Sequence, residues 1–118
     1  MHLRSVLPIL TAGSLLFLGG CMTSTNYDAT SEAMRHSPEL LADRIADCTK
    51  RTAATSGGLN ELRQDVKLPV GTSDATVAET FCRRGLTAIA NGRMTYDDLS
   101  SVFTGTPKPI VYKIIQGR

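Results

Sequence analysis

The chain has 118 residues, of which 42% are hydrophobic and 20% charged, with no Trp and a formal net charge of +2. That length holds one small domain, and the composition is neither that of a disordered chain nor that of a fibrous one. So weak a positive balance excludes a nucleic-acid partner held by a basic field.

The first twenty residues differ in kind from the rest. All 11 acidic residues and all the basic ones but Arg4 lie after position 21. After Arg4 comes an apolar run, Val6 to Leu18, interrupted by Pro8, Thr11, Gly13 and Ser14. A positive start followed by a short apolar stretch is the layout of a secretory signal peptide. The run has 13 residues, short of the about 20 that a bilayer-spanning helix needs, so removal rather than retention is expected.

The segment ends in Leu18-Gly19-Gly20-Cys21, which resembles the lipobox of bacterial lipoproteins, a Leu and two small residues before a Cys. The resemblance covers the N-terminal fifth of the chain. It implies that the Cys21 thiol receives a diacylglyceryl group, that the peptide is cut between Gly20 and Cys21, and that the new amino group is acylated. Each buried methylene contributes about 0.8 kcal/mol and stable anchoring takes two signals, so such a group would hold the protein on a membrane without a further device. In lipoprotein sorting an Asp after the lipidated Cys commonly means inner-membrane retention. Met22 stands there instead, which implies the periplasmic face of the outer membrane, with the inner membrane as the alternative.

Residues 21–36 are expected to form a lipidated flexible tether. The stretch MTSTNYDATSEAMRH is polar and short of aliphatic residues, and a flexible chain of that length has a span of roughly 20 Å. A small globular domain is then expected over 37–118. Ser37-Pro38-Glu39 reads as a helix start, with a capping hydroxyl, a proline suited to the first position and an acid near the positive end of the dipole. Leu41, Ile45 and Cys48 follow as one apolar stripe, and the helix should fade before Gly57-Gly58.

A second helix is expected after Thr72-Ser73-Asp74, running through Val77, Phe81, Cys82, Ala88 and Ile89 to a stop at Asn91-Gly92. Thr95 caps a third, with Asp97 and Asp98 in its first turn and Leu99, Val102 and Phe103 facing inward. Two segments have strand character. Asp65 to Val70 alternates apolar and polar residues, and Ile110 to Ile115 is dense in β-branched and aromatic ones. Pro69 would confine its strand to an edge. The expected fold is therefore α+β or mainly α, with about three helices and room for a two-stranded ribbon.

With Cys21 assigned to lipid, Cys48 and Cys82 remain, each on the apolar stripe of an expected helix. An even pair in an oxidising compartment most simply forms a disulfide. A reactive thiol or a metal site is the lesser reading, since neither cysteine belongs to a Cys-x-x-Cys unit.

No catalytic residue, metal site or cofactor is expected. Nucleophilic catalysis by Ser or Cys usually needs a base, most often His, and His36 sits in the expected tether. Asp97 and Asp98 are adjacent on a helix and point about 100° apart, so they do not converge. Gly57-Gly58 and Gly92 match no phosphate-binding pattern. Arg83 and Arg84, with Arg93, could form a basic patch, although adjacent arginines more often occupy a solvated face.

These residues lead to a non-enzymatic envelope lipoprotein, bound to a membrane through its N-terminal lipid and to an envelope protein, with no nucleic-acid partner. One alternative is an accessory subunit of a secretion or conjugation apparatus, whose partner's sheet edge would pair with Ile110 to Ile115. Another is an immunity, inhibitor or stress-chaperone protein. In size and in its one distant Cys pair the chain is similar to the small periplasmic chaperones of acid resistance, but it lacks their Trp-Thr-Cys segment.

Overall fold

The structure, a computed structural model, describes residues 23–55 and 57–118. The signal segment over residues 1–20, with Leu18, Gly19 and Gly20, and the lipidation position Cys21 lie outside the described residues. Those that are described form six helices and no strand: α1 (Tyr27–His36), α2 (Pro38–Ala53), α3 (Asn60–Asp65), α4 (Asp74–Ala90), α5 (Tyr96–Phe103) and α6 (Pro109–Ile115). The fold is mainly helical and is closed by the Cys48–Cys82 disulfide, whose Cα atoms stand 5.9 Å apart.

The helix starts follow local chemistry. The Ser37 hydroxyl accepts from the Leu40 amide at 3.1 Å, with Pro38 behind it in the first turn of α2. Ser73 does the same for Thr76 at the start of α4. Before α5, Thr95 and Asp98 form a reciprocal capping box, in which each side chain accepts from the other's backbone N–H. Such caps are each worth about 1 kcal/mol because they satisfy amides that the helix itself leaves open.

Helix α4 is the common support, with α1, α2, α3 and α6 all packed on it. Its N-terminal half contributes Val77 and Ala78 to an apolar cluster with Leu59, Val66 and Ile115. Its C-terminal half contributes Ala88, Ile89 and Ala90 to a second cluster with Tyr27, Met34, Met94 and Ile114. Cys82, 1% exposed, lies between the two halves.

Three expectations are corrected. Residues 27–36, read as the distal part of a flexible tether, are the packed helix α1. Tyr27, Thr30 and Met34 recur on one face and are buried, the Tyr27 hydroxyl donates to the Met94 carbonyl, and Ser31 donates to the Ile89 carbonyl at 2.5 Å. On its outer face, hydrogen bonds from Arg35 and His36 hold the Glu32 carboxyl below the usual carboxylate range.

Ile110 to Ile115, read as the best strand, is helix α6. Its buried residues are Val111, Ile114 and Ile115, a helical spacing that its β-branched composition masks. Pro109 occupies the first turn, and Gly117 with φ 81° closes the end. Propensity gave way to burial against α4 and α5. Asp65 to Val70 is the end of α3 and a loop. Lys67 takes φ 61°, and its amide and that of Leu68 return to the Gln64 and Arg63 carbonyls. The Arg63 guanidinium fastens this loop by donating to the Thr72 carbonyl at 3.0 Å and to Asp74 Oδ1 at 2.8 Å. A smaller difference concerns Phe103, expected to face inward and in fact 72% exposed.

Gly85 stands in the interior of α4, where glycine costs about 1 kcal/mol relative to alanine. A Cβ placed on it meets nothing within 4 Å, so Gly85→Ala should raise stability by about 0.5–1 kcal/mol in urea unfolding. Removing the disulfide by Cys48→Ala with Cys82→Ala releases a crosslink spanning 34 positions and should lower stability by about 4 kcal/mol in the same measurement. Burial, and then the charges of Asp98 and Asp28, push the Tyr27 hydroxyl up to about 12. The folded chain therefore holds that proton more tightly than the unfolded one, whose value is about 10. The contribution is complete below pH about 10 and is lost as the pH rises towards 12. Tyr27→Phe should cost about 1 kcal/mol at neutral pH and should remove that alkaline component from stability measured across this range.

Candidate functional site

One candidate is an apolar cleft of about 240 Å³ where α4, α5 and α6 meet beside the disulfide. Ile89 and Met94, each 4% exposed, and Val111 and Ile115, 4% and 5%, form its floor together with Cys82. Cys48, the half-buried Leu86, Leu99 and Val102, and the exposed Phe103 make up its wall and rim. No polar surface lines it. Gly85 is part of the wall, at the one position on this stretch of α4 where no side chain projects.

The cleft follows from how its helices are held. The Ser101 hydroxyl accepts from the Lys108 amide at 3.1 Å and donates to the Asp98 carbonyl at 2.5 Å, which fixes the turn from α5 to α6. The Arg84 guanidinium donates to the Val66 carbonyl at 3.2 Å and to the Ile115 carbonyl at 2.7 Å. One side chain of α4 thereby ties down the ends of both α3 and α6. One turn before Gly85 on α4, the disulfide at Cys82 fixes the approach of α2.

A second cleft, of about 320 Å³, is lined by Arg83, Arg84, Thr87, Asn91 and Arg93 among others. The three arginines that suggested a basic patch do meet there, but each is engaged within the protein. Arg84 holds the two carbonyls, Arg83 pairs with Glu79, and Arg93 donates to the Arg118 carbonyl. An anion would have to compete with these bonds, so the arginines serve the fold.

The remaining titratable residues do not converge. Asp98, 8% exposed, spends its carboxylate on the Thr95 amide at 2.9 Å, with the Lys108 ammonium 3.9 Å away. Asp97 is exposed. His36 Nε2 lies 2.9 Å from Glu32 Oε1 on the outer face of α1. Among the described residues no group of three His, Cys, Asp or Glu side chains is arranged to hold a metal, and no helix is long and apolar enough to cross a membrane.

Of the residues singled out in the sequence, the structure brings Cys48 and Cys82 together and makes them part of the cleft. The cleft itself was not foreseen. One signal for it stood in the sequence, an unexplained glycine inside the pattern of α4.

No family model matches the chain, and no solved structure matches it. It is 31% identical over 81 residues to a phosphatidylinositol mannoside acyltransferase of Mycolicibacterium smegmatis (strain ATCC 700084 / mc(2)155). That similarity covers 69% of this chain and 27% of the acyltransferase, so the chain spans about a quarter of the length of the curated relative that it matches.

Proposed function

We propose that this protein is a non-enzymatic lipoprotein of the bacterial cell envelope, lipidated on Cys21, which presents its helical module to the periplasm for binding or assembly with an envelope protein. The observation that carries this reading is Leu18-Gly19-Gly20-Cys21 at the end of a short apolar run. Two features support it. A cystine that links the principal helices suits an oxidising compartment. The cleft, lined by apolar groups, offers a binding surface.

The packing of α1 alters how the module would be displayed. Helix α1 begins at Tyr27, six positions after Cys21. Lipid on Cys21 would therefore hold the domain close against the head groups and not on a tether of roughly 20 Å. With Ile110 to Ile115 helical, pairing of that segment with a partner's sheet edge loses its basis. A helical face or the cleft remains for contact. Met22 favours the periplasmic leaflet of the outer membrane.

The test is fractionation of cells expressing the full chain. The wild type should sediment with outer membranes and release a shortened, acylated N-terminus on mass spectrometry, and globomycin should build up the uncut precursor. Cys21→Ser should abolish both processing and membrane recovery. An unchanged membrane fraction for Cys21→Ser, or indifference to globomycin, would overturn the reading.

A further inference from the structure

The cleft between α4, α5 and α6 has a volume of about 240 Å³. This exceeds the apolar cavities of about 150 Å³ that stay dry and take up benzene. It lies below the roughly 300–1,000 Å³ of pockets for drug-sized ligands. With no polar group in its wall, it selects by hydrophobicity alone and penalises any ligand that brings unsatisfied polar atoms inside. A stretch of unbranched hydrocarbon inserted from the rim meets both conditions.

Gly85 is an independent pointer to an occupant. Glycine inside a helix sacrifices stability and is normally explained by a close approach of another chain segment. Here a Cβ would meet nothing within 4 Å. What the missing side chain provides is room in the cleft, one turn along α4 from the disulfide at Cys82.

On the lipoprotein reading, the chain itself carries hydrocarbon on a residue close to the start of α1. Met94, in the floor, accepts the Tyr27 hydroxyl through its carbonyl, and Tyr27 packs in the same apolar cluster as Ile89 and Leu99. The start of α1 is thus tied to the cleft. The Tyr27 amide donates to the Thr23 carbonyl at 2.9 Å, which adds one ordered turn ahead of α1. Cys21 lies two positions before Thr23, a distance of at most about 7 Å of extended chain.

We propose that the cleft seats one of the acyl chains carried by Cys21 of the same molecule, inserted past Phe103 towards Gly85 and the disulfide, while the other acyl groups remain in the membrane. This rests on the lipoprotein reading. The exposed Phe103 then covers hydrocarbon, and the module is docked on the membrane by its own modification.

The experiment uses the full chain expressed with its own signal segment. Phe103→p-benzoylphenylalanine places a photocrosslinker at the rim, where the native side chain is exposed and aromatic. After irradiation in intact cells, the expected product is a peptide containing position 103 joined to the acylated peptide that begins at Cys21. Gly85→Phe, which fills the cleft, should abolish that adduct while leaving Cys21 acylated. Gly85→Leu, a smaller filler, repeats the test if Gly85→Phe lowers the yield of folded protein. If Cys21 is acylated but position 103 joins only free phospholipid or another protein, or joins nothing, the proposal is overturned and the lipoprotein reading stands. If Cys21 carries no acyl group, both fall.

Discussion

Helix α2 runs along α4 over most of its length without burying a single side chain completely. Its apolar stripe of Leu41, Ile45 and Cys48 is only half-buried, so the hydrophobic effect alone holds this pair weakly. The covalent bond between Cys48 and Cys82 supplies what burial does not. Anchored on α2's third turn and on the middle of α4, it restricts the unfolded chain and fixes the separation of the two longest helices among the described residues. A chain with so few buried residues, divided into two clusters at either end of α4, depends on that constraint.

The same bond serves the cleft. One of its cysteines is buried in the cleft floor and the other is half-exposed in its wall, so the disulfide holds this side of the cleft rigid. The opposite side is held by polar bonds, with Ser101 bracing the turn between α5 and α6 and Arg84 tying α3 and α6 to α4. Arg84 is consumed in this bracing, and the cleft lining holds no basic residue that would recognise an anion. The result is an apolar space walled by fixed elements.

Much of the fold was legible from short-range chemistry. Ser37, Ser73 and Thr95 marked three helix starts because a capping hydroxyl and the acid or proline beside it act within one turn of chain. Asn91-Gly92 marked a stop because Gly92 takes φ 75°, a conformation that few other residues adopt. The elements missed were those whose local signal conflicts with their environment. Ile110 to Ile115 has a strand's composition, and only its position against α4 and α5 reveals that the spacing of Val111, Ile114 and Ile115 is what counts. Tyr27 and Met34 are too few apolar residues to announce a helix, and α1 gains its stability from the Met94 and Ile89 carbonyls and from the cluster into which it docks.

The site divides along the same line. The sequence by itself determined the motif at Leu18-Gly19-Gly20-Cys21, the availability of Cys48 and Cys82 for each other, and the capped helices that carry them, since each depends on neighbouring residues or on residue type alone. Only the tertiary structure decided that Arg83, Arg84 and Arg93 are spent on internal partners, that α1 closes the gap between Cys21 and the domain, and that Gly85 opens a cleft beside the disulfide. Those outcomes depend on which surfaces meet when the other described helices compete for the faces of α4, and burial of that kind is a property of the packed chain as a whole.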